Sequence, residues 1–229
     1  MNKPRVAAVI PAYNEEKHIG DVVRRTRQRL DDVLVVDDGS ADKTADNARE
    51  AGGQVIVHEQ NQGKGETIKT GLRHWFAKSS PAERAVDYVI ILDADGQHRP
   101  EEIERFIAAA LSADEPKLVV GNRMKDLSTM PLIRRFVNRW MSQQISALCG
   151  QEIPDTQCGY RLLHRDLIPD LLGGAARFDY ETEMLIIASR KGFRIAAAPI
   201  STVYSDEVSS IHPVRDTIRF FKLMRRYKR

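Results

Sequence analysis

Cysteine is scarce: Cys149 and Cys158 are the only two in 229 residues, and no C-x-x-C occurs. A disulfide framework is excluded, and the composition suits a reducing compartment. The six histidines are scattered, with neither H-E-x-x-H nor paired Cys/His zinc spacing. No apolar run approaches the roughly 18 residues that a membrane-spanning helix needs. The segment Met1-Asn2-Lys3-Pro4 runs straight into an apolar stretch without the pattern of a secretory signal, so a cytoplasmic chain is expected. Two phosphate-binding fingerprints are missing as well. Pro11 to Glu15 stand where G-x-G-x-x-G would follow the first strand, and His58 and Gly65 spoil a P-loop around Gly63-Lys64.

What is present is the composition of a soluble globular protein, 42% apolar and 29% charged, sized for one domain with a substantial core. Net charge is +3, unevenly placed: residues 215–229 carry seven arginines and lysines against Asp216. A basic terminus on a nearly neutral body suggests an anionic surface as partner. Only Phe220, Phe221 and Tyr227 supply aromatics there and no docking motif appears, which favours membrane headgroups over nucleic acid.

Short β-branched runs at 6–10, 33–36, 55–57, 88–92 and 118–120 alternate with helical stretches. That alternation predicts an α/β fold with a mostly parallel central sheet flanked by helices. Ser40 or Asp42 is expected to cap the second helix, and Pro100 to open the fourth. Beyond residue 123 the alternation breaks down. Residues 131–148 are expected to form an amphipathic helix whose Leu132, Phe136 and Trp140 face the core. Residues 155–164 suggest a loop entering a strand, 179–190 a helix bearing Glu181 and Glu183, and 194–204 a strand near a sheet edge because of Pro199. We expect one domain over 1–212, with 213–229 as a basic amphipathic helix appended to it.

The stretch Tyr88-Val-Ile-Ile-Leu92 ends abruptly in Asp93-Ala94-Asp95-Gly96-Gln97-His98. A capping Asp at a polar strand exit is one reading. A divalent cation holding a substrate phosphate is the other, since both side chains are hard oxygen ligands. Asp37, Asp38 and Arg123 also fall just past strand ends, where open parallel sheets bind ligands. Carboxylates gathered on one rim need a cation to offset them. Lys64, at a Gly-Lys-Gly helix start, is either such a phosphate contact or a surface residue.

Taken together, Ile10-Pro-Ala-Tyr-Asn-Glu-Glu16, Val35-Val-Asp-Asp-Gly-Ser40, Asn61-Gln-Gly-Lys-Gly65 and Asp93-Ala-Asp-Gly-Gln-His98 resemble the family-2 glycosyltransferases of GT-A (Rossmann-like) fold. The later Gly121-Asn-Arg123, Asp155-Thr-Gln-Cys-Gly-Tyr-Arg161 and Phe178-Asp-Tyr-Glu-Thr-Glu183 look most like the dolichol- or polyprenol-phosphate mannosyl/glucosyltransferase branch. The resemblance implies inverting transfer of a hexose from a nucleotide sugar, of GDP-mannose or UDP-glucose type, to a lipid phosphate. It implies that Pro11, Tyr13, Glu15, Val36, Asp38, Lys64 and Asp93 hold the nucleotide sugar. Asp93, Asp95 and Gln97 would hold Mg²⁺ or Mn²⁺. Arg123 and Arg161 are the candidate clamps for the acceptor phosphate, and Asp155 is the base or orienting group if the acceptor is a hydroxyl.

Many members of that branch carry C-terminal transmembrane helices, for which this sequence shows no run. The basic tail lying on a leaflet, or a small membrane-anchoring subunit, would then bring the enzyme to the cytoplasmic face. The rival readings are a soluble family-2 enzyme acting on a glycan or small-molecule hydroxyl, and a non-catalytic nucleotide-sugar binder.

Overall fold

The computed structural model describes residues 3–78, 85–125, 132–173, 180–201, 225 and 227. Seven strands in this part form one sheet in the order β3-β2-β1-β4-β6-β5-β7. At its centre β1 (Val6–Ala12) is buried along its whole length, as an apolar run covered on both faces must be. Parallel pairing joins it to β2 (Asp32–Asp37) and β4 (Tyr88–Ile91), and β2 to β3 (Gln54–Val57). Farther along, β5 (Leu118–Asn122) pairs in parallel with the edge strand β7 (Ile195–Pro199), where Pro199 ends the ladder.

One strand runs the other way. β6 (Arg161–His164) lies antiparallel between β4 and β5. The sheet is thus mostly parallel, with this single reversal at the point where the regular alternation stops. Because β6 is reversed, its first residue, Arg161, sits on the rim where β4 and β5 end.

Six helices follow the expected order, α1 (Ile19–Arg27), α2 (Thr44–Glu50), α3 (Lys64–Ala77), α4 (Ile103–Ala110), α5 (Leu132–Cys149) and α7 (Tyr180–Arg190), and the short α6 (Ile168–Leu172) is an addition the sequence pattern did not predict. Pro100 opens a single 3₁₀ turn ahead of α4. Trp75 of α3 seals the helix onto the sheet, donating its indole N–H to the Ala8 carbonyl at 3.1 Å while 1% exposed.

Of the two expected caps, Ser40 serves elsewhere and Asp42 serves twice. α2 starts at Thr44, whose N–H donates to Asp42 Oδ1 (2.9 Å), while Asp42 Oδ2 accepts from Glu16 N–H (3.1 Å) and the Ser40 hydroxyl accepts from Asn14 N–H (2.9 Å). These bonds, with Glu15 N–H to the Thr44 hydroxyl (2.8 Å), fasten the loop after β1 to the loop after β2. α1 accordingly begins only at Ile19, after this fastened loop.

The 213–229 segment lies outside the described residues apart from Arg225 and Tyr227. Tyr227 nevertheless has a definite seat: its hydroxyl donates to Glu183 (2.9 Å), its carbonyl accepts from Arg190 (2.8 Å), and the Arg190 guanidinium lies 4.8 Å from its ring centre.

Candidate active site

The strand ends bring four loops to one rim around a cavity of about 370 Å³. From the β1 loop come Pro11, Tyr13 and Glu15, and from β2 comes Asp38. Asn61, Gly63, Lys64 and Thr67 line it from the start of α3, and Asp93 to Asp95 from β4. Val36 does not join them: its side chain is fully buried in β2, and the cavity lining excludes it.

Asp38 is spent on architecture. One oxygen accepts from His58 Nδ1 (2.7 Å) and Gln62 N–H (2.9 Å), the other from Gly63 N–H (2.8 Å). Against an ionised carboxylate Nδ1 is the donor, which leaves Nε2 to meet the Thr70 hydroxyl at 3.0 Å. This chain pins the 61–63 turn, and Gly63 supplies the positive φ (94°) that lets α3 begin directly at Lys64. The first turn of α3 is thereby set against the cavity, which Gly63, Lys64 and Thr67 line, so the positive end of its dipole lies beside it.

Lys64 joins two elements that the sequence left separate. Its Nζ lies 2.6 Å from Asp93 Oδ1 and 2.9 Å from Glu181 Oε1, the latter in the first turn of α7. Burial alone would lower the ammonium pKa, but the two carboxylates outweigh it and raise it. Burial likewise works against the Asp93 carboxylate, yet chiefly Lys64 holds it down at about 2. Gly159 makes the arrangement possible: a Cβ there would stand 2.8 Å from Glu181 Oε1 and 3.0 Å from Asp93 Oδ2. Glu181 and Gly159 are site residues that sequence reasoning missed or left open.

Asp95 is in the opposite electrostatic state. Burial, then the neighbouring Asp93 charge, push its carboxyl upward. Gln97 contributes its backbone N–H to Asp95 Oδ1 (2.9 Å), closing the turn at Gly96. His98 is a further contributor: its Nδ1 accepts from the Asp93 N–H at 3.1 Å, and its ring stacks on Tyr160 with centroids 4.9 Å apart. An Nδ1 that accepts must be unprotonated, in keeping with the downward shift that burial imposes on this imidazole.

Among the described residues no three His, Cys, Asp or Glu side chains converge into a cation cage. The two carboxylates fit a magnesium- or manganese-like ion that takes its other ligands from phosphate oxygens and water. The upward shift of Asp95 comes first from burial and then from repulsion by Asp93, and a bound cation would offset both.

Two expected roles on the acceptor side need correction. Asp155 is 1% exposed and fully engaged: Arg123 Nε and Nη2 bind its two oxygens at 2.8 and 3.0 Å, and the Arg123 and Gln157 amides add two longer bonds. It positions Arg123 and has no oxygen directed at a substrate as a base. Arg161 is buried outright, its guanidinium donating to the carbonyls of Cys158 (2.9 Å), Thr156 (3.0 Å) and Glu181. It organises the loop and does not reach an acceptor phosphate.

The glycosyl transferase family 2 profile matches residues 7–172, spanning β1 through α6 and every carboxylate of the rim except Glu181. The chain belongs to glycosyl transferase family 2. It is a glycosyltransferase, and its sheet is that of the GT-A fold. Within the family it groups with enzymes named for lipid-phosphate acceptors. A Methanococcus voltae protein, UDP-N-acetylglucosamine–dolichyl-phosphate N-acetylglucosaminyltransferase, is 33% identical over 221 residues, covering 86% of this chain and 85% of the relative. The undecaprenyl-phosphate mannosyltransferase of Micrococcus luteus is 30% identical over 212 residues, covering 87% and 84%. Among solved structures, Mycobacterium tuberculosis glucosyl-3-phosphoglycerate synthase with Mn²⁺, uridine diphosphate and product superposes with a TM-score of 0.69 at 18% identity, over 98% of this chain and 78% of that one. At that identity the likeness speaks for the fold.

Proposed function

We propose that this glycosyltransferase moves a hexose, with inversion, from a nucleoside-diphosphate sugar to a polyprenyl phosphate at the cytoplasmic face of a membrane. The observation that carries this reading is the engagement of Asp155. A hydroxyl acceptor needs a base to take its proton, and the carboxylate placed to serve has both oxygens bound to Arg123. A phosphate monoester is already anionic and needs none. The relatives with named lipid-phosphate acceptors support the same choice.

In this reading the β1 and β2 loops hold the nucleoside, and the α3 N-terminus with Lys64 meets the diphosphate. Asp93 and Asp95 would hold Mg²⁺ or Mn²⁺, which when bound neutralises the charge of the leaving diphosphate. Arg123, fixed by Asp155, orients the acceptor phosphate. An acceptor oxygen forms the new bond to the anomeric carbon as the bond to the diphosphate breaks, and the electron pair leaves with the nucleotide.

The test is transfer of labelled sugar from a panel of nucleotide sugars to a short-chain polyprenyl phosphate, with Mg²⁺, Mn²⁺ or chelator. Product that forms with metal and disappears with chelator is expected. Transfer to a glycan hydroxyl with the prenyl phosphate inert would establish the alternative. The domain limit at 212, the basic tail and an anchoring subunit belong to the same proposal. Vesicle binding by the full chain and by one lacking 213–229 tests the tail.

A further inference from the structure

Asn14 sits in the β1 loop with a φ of 55°, a left-handed backbone that most side chains resist and Asn tolerates. It is exposed and lines no part of the cavity, yet both its neighbours, Tyr13 and Glu15, do. Tyr13 is 49% exposed, so the backbone beside it, more than packing, sets where its ring stands.

What holds Asn14 is the β2 loop. Its N–H donates to the Ser40 hydroxyl, and its Oδ1 accepts from the Ala41 N–H at 3.0 Å. Ser40 is itself fixed at the end of β2, its N–H donating to Asp37 Oδ1 at 2.9 Å. The tie continues along Glu16, whose Oε2 accepts from the Lys43 N–H (3.2 Å) and whose carbonyl accepts from the Asn47 side-chain amide (2.8 Å). The β2 loop in turn bears on the segment before α3: a Cβ at Gly39 would stand 3.0 Å from the Gln60 carbonyl carbon. Three loops of the cavity wall are thus clamped together, and Asn14 is the member of the clamp seated between two residues that line the cavity. Neutral bonds this close to solvent add little to global stability. What they fix is the shape of the loop before a ligand arrives, which removes the cost of ordering it from the free energy of binding.

We propose that Asn14 is a positioning residue for the nucleotide sugar: by locking the β1 loop onto the β2 loop it holds Tyr13 and Glu15 ready for the nucleoside. This role rests on the reading in which those loops hold the nucleoside.

The experiment compares the full chain with its Asn14→Gly and Asn14→Asp variants. Glycine keeps the left-handed backbone and removes Oδ1, whereas aspartate keeps an oxygen for the Ala41 N–H. Binding of uridine and guanosine diphosphate with Mn²⁺ is measured by calorimetry, alongside thermal melts and transfer kinetics with a short prenyl phosphate. Asn14→Gly should weaken the diphosphate that the wild type binds, and raise the donor KM, by about tenfold. Its kcat, its acceptor KM and its melt should match the wild type, and Asn14→Asp should bind within about threefold of it. Equal affinity of Asn14→Gly and wild type overturns the proposal. So does a loss confined to kcat, a loss that comes with a lowered melt, or an Asn14→Asp variant no better than Asn14→Gly. If neither diphosphate binds the wild type, the nucleoside reading falls and this role with it. If Asn14→Gly loses affinity for the diphosphate but no prenyl phosphate accepts sugar, the positioning role stands and the proposed acceptor falls.

Discussion

Along the rim, the loops of β1, β2 and β4 turn carboxylates toward a cavity, while the β5–β6 side draws its charges inward. Asp93 and Asp95 line open space, one leaning on Lys64 and the other pushed up by burial and then by its neighbour. Asp155, Arg161 and Glu183 are each 1% exposed or less and are satisfied within the protein. The first arrangement faces open space, and in the proposed reading a bound cation completes it. The second is complete in itself, so a change there is felt by the fold before it is felt by the reaction.

The sharpest way to break this contrast is at Asp95. With Asp95 in its proposed role as a ligand for the cation that would stabilise the leaving group, Asp95→Asn should lower kcat by about a thousandfold, or about 4 kcal/mol in the barrier. Its melting temperature should hold or rise, because the repulsion with Asp93 is gone. A variant that melts early with activity intact would place Asp95 in the structural class. On the other side, Asp155→Ala should cost about 3 kcal/mol of stability in denaturant titration, by stranding the half-enclosed Arg123 charge. Removing both charges, as Arg123→Met/Asp155→Leu, should recover part of that stability without recovering activity.

Gly159 lies where the two sides meet and should behave like the cavity side. Gly159→Ala places a methyl against Glu181 and Asp93 and should reduce activity by about tenfold to a hundredfold, about 1.4–2.8 kcal/mol, with little change in the melt. The smallest effect is expected at Glu101, paired through both oxygens with Arg25 at 2.9 and 2.8 Å. Arg25 holds this carboxyl down at about 2, so the pair's contribution is present above the ordinary Glu value and is lost as pH falls through about 2. With the side chains 32% and 40% open to solvent, it should stay under about 1 kcal/mol. The melting difference between wild type and Glu101→Gln should therefore be slight at pH 7 and vanish as pH approaches 2.

The cavity side was largely legible in the sequence because parallel strands deliver their ends to one rim, so an acidic strand end read locally was already a statement about the site. The other side was not legible in that way. Asp155 and Arg161 stand out in the sequence as charged residues in a glycine-containing loop. Their burial, however, follows from β6 entering between β4 and β5, and strand order is not written in local spacing. The expectation for α5 held at Trp140, which packs against the core, and failed at Phe136, 75% exposed, for a related reason; the side chain of Leu132 lies outside the described residues. Periodicity locates the apolar stripe, but it assigns the stripe to the interior only if the interior is apolar. Here the inner face must bind the backbone at Ile153 and Thr156. Lys64, ambiguous between surface and phosphate, gained a partner from α7, more than a hundred residues later.

The reversal of β6 also constrains the order in which the molecule can be assembled. β5 pairs only with β6 and β7, and β4 gains its second neighbour only from β6. Until residues 161–164 leave the ribosome, β4 is therefore an open edge and β5 has no place in the sheet. The nascent chain must carry an exposed apolar strand ending at Asp93 across some seventy residues of synthesis, the interval in which it is most open to pairing with a neighbour.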